Sequence, residues 1–67
     1  MGRLIKINDK EVSAAMAEKK MSVTALAEAY GVSRSRMHTI LNSKAVTPIC
    51  AGRLADALEV DVTKIIM

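Results

Sequence analysis

Apolar residues recur along this chain at three- and four-residue spacings, interrupted by polar capping residues and a glycine turn, and this pattern predicts a series of short helices. Asn8 with Glu11 three residues on reads as a capping box, in which each side chain satisfies an orphan N–H of the first turn. Val12, Ala15 and Met16 then form the buried stripe of a first helix that ends near Lys19–Lys20, where cations suit the negative end of the helix dipole. Ser22 is a good N-cap for a second helix with an apolar face of Val23, Leu26, Ala27 and Tyr30. Gly31 suits the left-handed conformation just past its end. A third helix runs from Ser33 to about Asn42, with Met37, Ile40 and Leu41 apolar. Thr47-Pro48 opens a fourth, proline standing in the first turn where its missing N–H costs nothing, with Leu54, Ala55, Leu58 and either Ile49 or Ala51 inward. Asp61 caps a short fifth helix containing Val62, Ile65 and Ile66. Ahead of all this, in residues 1–7, Leu4, Ile5 and Ile7 surround Lys6 as an extended arm or a short edge strand, and the pattern leaves both open. Residues 8–67 form one domain without repeat, linker or low-complexity segment.

The informative stretch is Ser22 to Asn42. Only Val32 separates Gly31 from the next cap, Ser33, so two helices cross steeply about a very tight glycine-containing turn. Ala27 is small where the third helix passes close over the second. Val32, Met37 and Ile40 plug the third helix into the core, which leaves Arg34, Ser35, His38 and Thr39 pointing outward together. A DNA major groove, about 12 Å wide, admits one helix whose exposed side chains meet base-edge donors and acceptors. Arg34, in the first turn, can bond a guanine bidentately. Ser35 and Thr39 can bond bases or touch a thymine methyl, and His38 can donate or accept.

Length and composition limit the alternatives. A chain of 67 residues buries only about 60% of its unfolded surface, so its stability is marginal without a disulfide, a metal or a partner subunit. Cys50 is the lone cysteine, so no internal disulfide forms, and with a single histidine there is no four-ligand zinc site. That leaves an aliphatic core supplemented by five Met, with Tyr30 the sole aromatic and Cys50 expected as a small buried hydrophobe. The net charge of +3 is weak evidence for a polyanionic partner by itself. Its placement matters more: Arg34, Arg36, His38 and Lys44 fall between Ser33 and Lys44 with no acid among them. No segment approaches the roughly 20 apolar residues of a membrane span, and no signal peptide is expected. Met1-Gly2 opens like a myristoylation signal, but Lys6 stands where Ser or Thr is wanted. The reading is therefore a soluble cytoplasmic protein. Paired carboxylates, a nucleophile–base pair and a phosphate-cradling glycine loop are all missing, so an enzyme, a cofactor and a small-molecule ligand are not expected.

The combination of Leu26-Ala27, Gly31-Val32-Ser33-Arg34-Ser35 and Ile40-Leu41-Asn42 resembles the Cro/CI-type (XRE-type) family of phage-repressor-like helix-turn-helix domains. The later run fits as well: Thr47-Pro48, Ala51, Leu54-Ala55, Ala57-Leu58, Val60-Asp61-Val62 and Ile65-Ile66. The resemblance extends from Asn8 to Met67. It implies an all-α, lambda-repressor-like bundle of about five helices, whose third helix reads the major groove while the starts of the second and fourth touch phosphates. Carried over by position, it makes Arg34, Ser35, His38 and Thr39 base-reading candidates, and Thr24, Ser33, Arg36, Asn42 and Lys44 phosphate candidates. Three departures stand out. Val23 replaces a frequent phosphate-clamping glutamine, Ser43 replaces a frequent glycine, and Ile49-Cys50 replaces a polar pair and leaves an apolar spot on the fourth helix.

The functional expectation is sequence-specific binding of double-stranded DNA by a repressor-like transcriptional regulator. The alternative is a protein-interaction module, an adaptor or antitoxin-like partner on the same fold, since fold alone does not separate the two. The acid-free polar face of the third helix favours DNA. A module this small gains affinity from two copies on half-sites about 34–36 Å apart, so a homodimer is expected at least on DNA. Val62, Ile65, Ile66 and Met67 are the favoured interface candidates, with Leu4, Ile5 and Ile7 as a second possibility. Both segments folding back on their own chain remains a third.

Overall fold

The computed structural model describes residues 3–67; Met1 and Gly2, which open the myristoylation-like start, lie outside the described residues. The described chain runs β1 (Ile5–Lys6), α1 (Asp9–Lys19), α2 (Val23–Tyr30), α3 (Arg34–Asn42), β2 (Ala45–Val46), α4 (Pro48–Leu58) and α5 (Val62–Ile65). It is an all-α bundle of five helices with a two-stranded ribbon beside it.

Each helix starts where a side chain accepts an otherwise unpaired N–H of its first turn. Asn8 Oδ1 accepts from Glu11, Ser22 Oγ from Ala25, Ser33 Oγ from Arg36, Thr47 Oγ1 from Cys50 and Asp61 Oδ1 from Thr63, at 2.9–3.3 Å. The capping box expected at α1 is only half made. The Asn8 N–H donates to the Ile65 carbonyl at 2.7 Å, not to Glu11, because the C-terminal segment runs alongside it.

Three helices end alike. Lys20, Gly31 and Glu59 follow α1, α2 and α4 in the left-handed conformation, at φ 55°, 99° and 58°. The next residue in each case, Met21, Val32 or Val60, is apolar and half-buried against the core, and its N–H returns to Met16, Ala27 or Ala55. This is the Schellman arrangement with its hydrophobic contact.

The core holds Leu26, Met37, Leu54, Leu58 and Ile65 fully enclosed. Burial of each large aliphatic side chain contributes about 1.5–3 kcal/mol. Ala27 is 2% exposed at the crossing of α2 and α3, where a larger side chain would hold the helices apart. On α4 it is Ala51 that faces inward, whereas Ile49 is 76% exposed.

The N-terminal arm is a strand lying between β2 and the C-terminal segment. Ile5 pairs with Val46 and Lys6 with Ala45 in antiparallel register, and Ile7 bridges Ile66 on the opposite edge. The two apolar segments considered for a dimer interface thus pair with each other inside one chain. Ile65 is withdrawn from the interface candidates, because the core of its own chain encloses it completely. Val62 and Ile66 are half-buried against that core, and Met67 is 79% exposed.

Candidate nucleic-acid interface

The position of α3 is fixed at both ends. Gly31 turns the chain with a positive φ that glycine adopts at little cost, Val32 anchors the turn, and Ser33 caps the first turn of α3. Along the helix, Met37 and Ile40 are buried and Leu41 is half-buried. With that stripe inward, Arg34, Ser35, His38, Thr39 and Asn42 are all exposed, at spacings of three and four residues that place them on one outward face.

Hydrogen bonds within the helix assign different capacities to these groups. Thr39 donates its hydroxyl hydrogen to the Ser35 carbonyl at 3.2 Å, which leaves an accepting oxygen and a methyl group for a partner. Ser33 Oγ accepts from the Arg36 N–H, so its own hydrogen is free to donate. Arg34 and Arg36 are exposed, and among the described residues the one ion pair is Lys19 with Glu59 at 3.3 Å, elsewhere on the surface.

The other phosphate candidates are distributed around α3. Thr24 is exposed in the first turn of α2. Val23, the departure beside it, is half-buried against the core and offers no hydrogen bond to a phosphate. Ser43 has a φ of −73°, so the end of α3 does not need a glycine, and its hydroxyl closes the helix by donating to the Thr39 carbonyl at 2.9 Å. Lys44 is exposed in the bend that follows.

Beside α3 lies a shallow cleft of about 260 Å³, lined among others by Arg36, Thr47, Ile49, Cys50 and Arg53. The sequence reading does not single out Arg53. Its guanidinium donates to the Tyr30 carbonyl at 3.1 Å and lies 4.6 Å from the centre of the Tyr30 ring. The Tyr30 hydroxyl donates to Cys50 Sγ at 3.2 Å. Burial first, then this hydrogen bond, raises the Tyr30 phenol above its ordinary pKa, so it stays neutral at physiological pH. No local sequence signal marks Arg53, because its partner is 23 residues away. Among the described residues no group of three His, Cys, Asp or Glu side chains could hold a metal ion, and no helix is long and apolar enough to cross a membrane.

A helix-turn-helix with one polar, acid-free outward face is the arrangement of a DNA-binding domain, and a family model described as Cro/C1-type HTH DNA-binding domain matches residues 11–66. The chain belongs to that family. As a Cro/C1-type domain it is a DNA-binding module, and α2 and α3 are its helix-turn-helix. No curated protein and no solved structure matches the chain.

Proposed function

We propose that this Cro/C1-type domain is a sequence-specific, repressor-like transcriptional regulator that lays α3 in the major groove of double-stranded DNA in the cytoplasm. The observation that carries the reading is the joint exposure of Arg34, Ser35, His38 and Thr39 on one face of a helix whose opposite face is locked into the core by Met37 and Ile40. Arg34 supplies a fork of donors for guanine, Ser35 both donates and accepts, His38 reads through a ring nitrogen, and Thr39 offers an acceptor and a methyl group. Thr24, Ser33, Arg36, Asn42 and Lys44 hold the flanking phosphates and so fix the register of α3. Two copies act together on a two-fold site and meet through the exposed Met67 end, with the half-buried Val62 and Ile66 at its edge.

Selection of bound sequences from random duplex DNA, at about physiological salt, tests the reading. Enrichment of a defined motif is the expected result; binding without any preference overturns it. One observation favours the second reading, a protein-interaction module: Ile49 exposes an apolar side chain beside the cleft between α3 and α4. On that reading no motif is enriched and Ile49→Ser abolishes partner binding.

A further inference from the structure

The connection from α3 to α4 contains β2, and β2 is paired to the N-terminal arm. Side chains that the arm turns outward are therefore held beside the end of the proposed reading helix. The register identifies them. Lys6 lies opposite Ala45, one position past Lys44, and the Ile7 N–H donates to the Lys44 carbonyl at 3.2 Å. The antiparallel sense carries the preceding residues, Leu4 and Arg3, toward Thr47 and Pro48 at the start of α4. Burial alternates along the arm, as a strand requires: Ile5 and Ile7 turn inward, while Leu4 and Lys6 are exposed, as is Arg3. The backbone of Lys6 is also tied from its other side, where its carbonyl accepts from the Met67 N–H at 3.0 Å. An exposed lysine thus stands on a backbone braced by β2 and by the C-terminal segment.

Along the arm and the α3–α4 connection the charged side chains are of one sign. No acid occurs from Ala29 to Ala55, nor from Arg3 to Asn8, and the one ion pair among the described residues, Lys19 with Glu59, involves none of these cations. Arg3, Lys6 and Lys44 therefore follow the α3–α4 connection as exposed cations that form no ion pair among the described residues. A row of this kind fits the repeated phosphates of a nucleic-acid backbone.

We propose that the arm is part of the DNA-binding surface, with Lys6, and Arg3 next to it, contacting backbone phosphates that flank the bases beneath α3. The proposal rests on the reading of α3 in the groove and adds contacts from an element outside the helix-turn-helix. Such contacts contribute affinity and register and carry no sequence preference.

The test measures affinity for a selected duplex against salt concentration for the wild type, Lys6→Gln, Lys6→Arg and the double variant Arg3→Gln/Lys6→Gln. Lys64→Gln is the control, since Lys64 stands on α5 three residues from Asp61. Each phosphate that the protein no longer neutralises lowers the slope of log affinity against log salt by about 0.9. Lys6→Gln should therefore lower the slope by about one, and the double variant by up to about two. Lys6→Arg and Lys64→Gln should match the wild type, and base preference should be unchanged throughout. Circular dichroism confirms that the exposed substitutions leave the helices intact. A wild-type slope in both Lys6→Gln and the double variant, with motif selection retained, overturns the arm contact alone. A wild type that selects no motif overturns the reading of α3, and the arm contact with it.

Discussion

The Arg53 guanidinium sits 4.6 Å from the centre of the Tyr30 ring and donates to the Tyr30 carbonyl at 3.1 Å, so a side chain of α4 closes the last turn of α2. The contact lies where the chain turns through Gly31 into α3, and it braces the helix that leads into the reading face. Arg53→Ala should cost about 1–2 kcal/mol, combining an exposed cation–π contact of about 0.5–1 kcal/mol with a hydrogen bond of about 1 kcal/mol. In a domain of this size that lowers the melting temperature by roughly 4–8 °C per kcal/mol. Arg53→Lys keeps the charge without the planar fork and should fall between. Thermal melts followed by circular dichroism measure both; an unchanged midpoint for Arg53→Ala would show that the contact contributes nothing.

The three left-handed helix ends make a paired prediction of opposite sign. Lys20 adopts φ 55° with a side chain present, a conformation that costs an L-residue about 1–2 kcal/mol. Lys20→Gly relieves that cost but adds about 0.4–1 kcal/mol of unfolded-chain entropy, for a net gain of about half a kcal/mol. Gly31→Val should instead destabilise the domain by more than about 1 kcal/mol. The cause is backbone strain at φ 99° and not crowding, since a Cβ built there meets its nearest neighbour, Arg53 Nη2, at 3.9 Å. Urea denaturation of the two variants should therefore move in opposite directions, and two shifts of the same sign would contradict the assignment.

What could be read from the sequence follows from the range of each interaction. All five helix starts were legible because a cap and its N–H are two or three residues apart, so a Ser, Thr, Asn or Asp in the right place suffices. The end of α2 was legible because glycine marks it, and α1 ends close to Lys19–Lys20 as its terminal cations suggested. The left-handed conformation of Lys20 and Glu59 was not legible, since neither residue favours it and only the apolar residue that follows hints at it. The stripe of Met37 and Ile40 fixed which side of α3 faces out. What depends on distant pairing was open or hidden. The arm could be read as a strand and both terminal segments as folding back, but not their pairing partners. The diversion of the Asn8 N–H to Ile65, the enclosure of Ile65 and Arg53 on Tyr30 left no local signal.

Arg34 stands exposed in the first turn of α3, its guanidinium without a carboxylate partner among the described residues. If it reads a guanine, Arg34→Ala should cost about 1–3 kcal/mol on the selected site and relax preference at a single base pair. Binding curves on the selected site and on its single-base variants measure this. An equal reduction on every sequence would reassign Arg34 to the phosphate backbone.

Acid should loosen the C-terminal end through Asp61. Its carboxylate accepts from the Thr63 N–H at 2.9 Å and from the Thr63 hydroxyl at 2.8 Å, and these bonds, the backbone one first, hold its pKa below the ordinary value of 3.8. A folded pKa below the unfolded one gives stability that is present above the unfolded value and lost as pH falls through the folded value. Asp61→Asn keeps a good capping group without the charge. Its stability should therefore change less than that of the wild type as pH falls below about 4. Parallel pH profiles for the two proteins would assign the acid sensitivity to other carboxylates.

Self-association must use what the monomer leaves uncovered, and at the C-terminus that is Met67. Ile65 is enclosed by its own core, so Ile65→Asp should unfold the chain and says nothing about a dimer. Ile66 bridges Ile7 and is half-buried, so a charge there also disturbs the strand that braces Lys6. Met67 is 79% exposed, and its N–H donates to the Lys6 carbonyl, a bond that survives any change of side chain. Met67→Asp should therefore leave the monomer's stability within about 0.5 kcal/mol of the wild type. If two copies meet through this end, the same substitution should weaken self-association and binding to a two-fold site, while binding to a single half-site persists. Sedimentation at tens of micromolar, free and with both duplexes, separates the outcomes. A wild type that stays monomeric on both duplexes ends the dimer proposal, and a Met67→Asp variant that still pairs on the two-fold site moves the interface elsewhere.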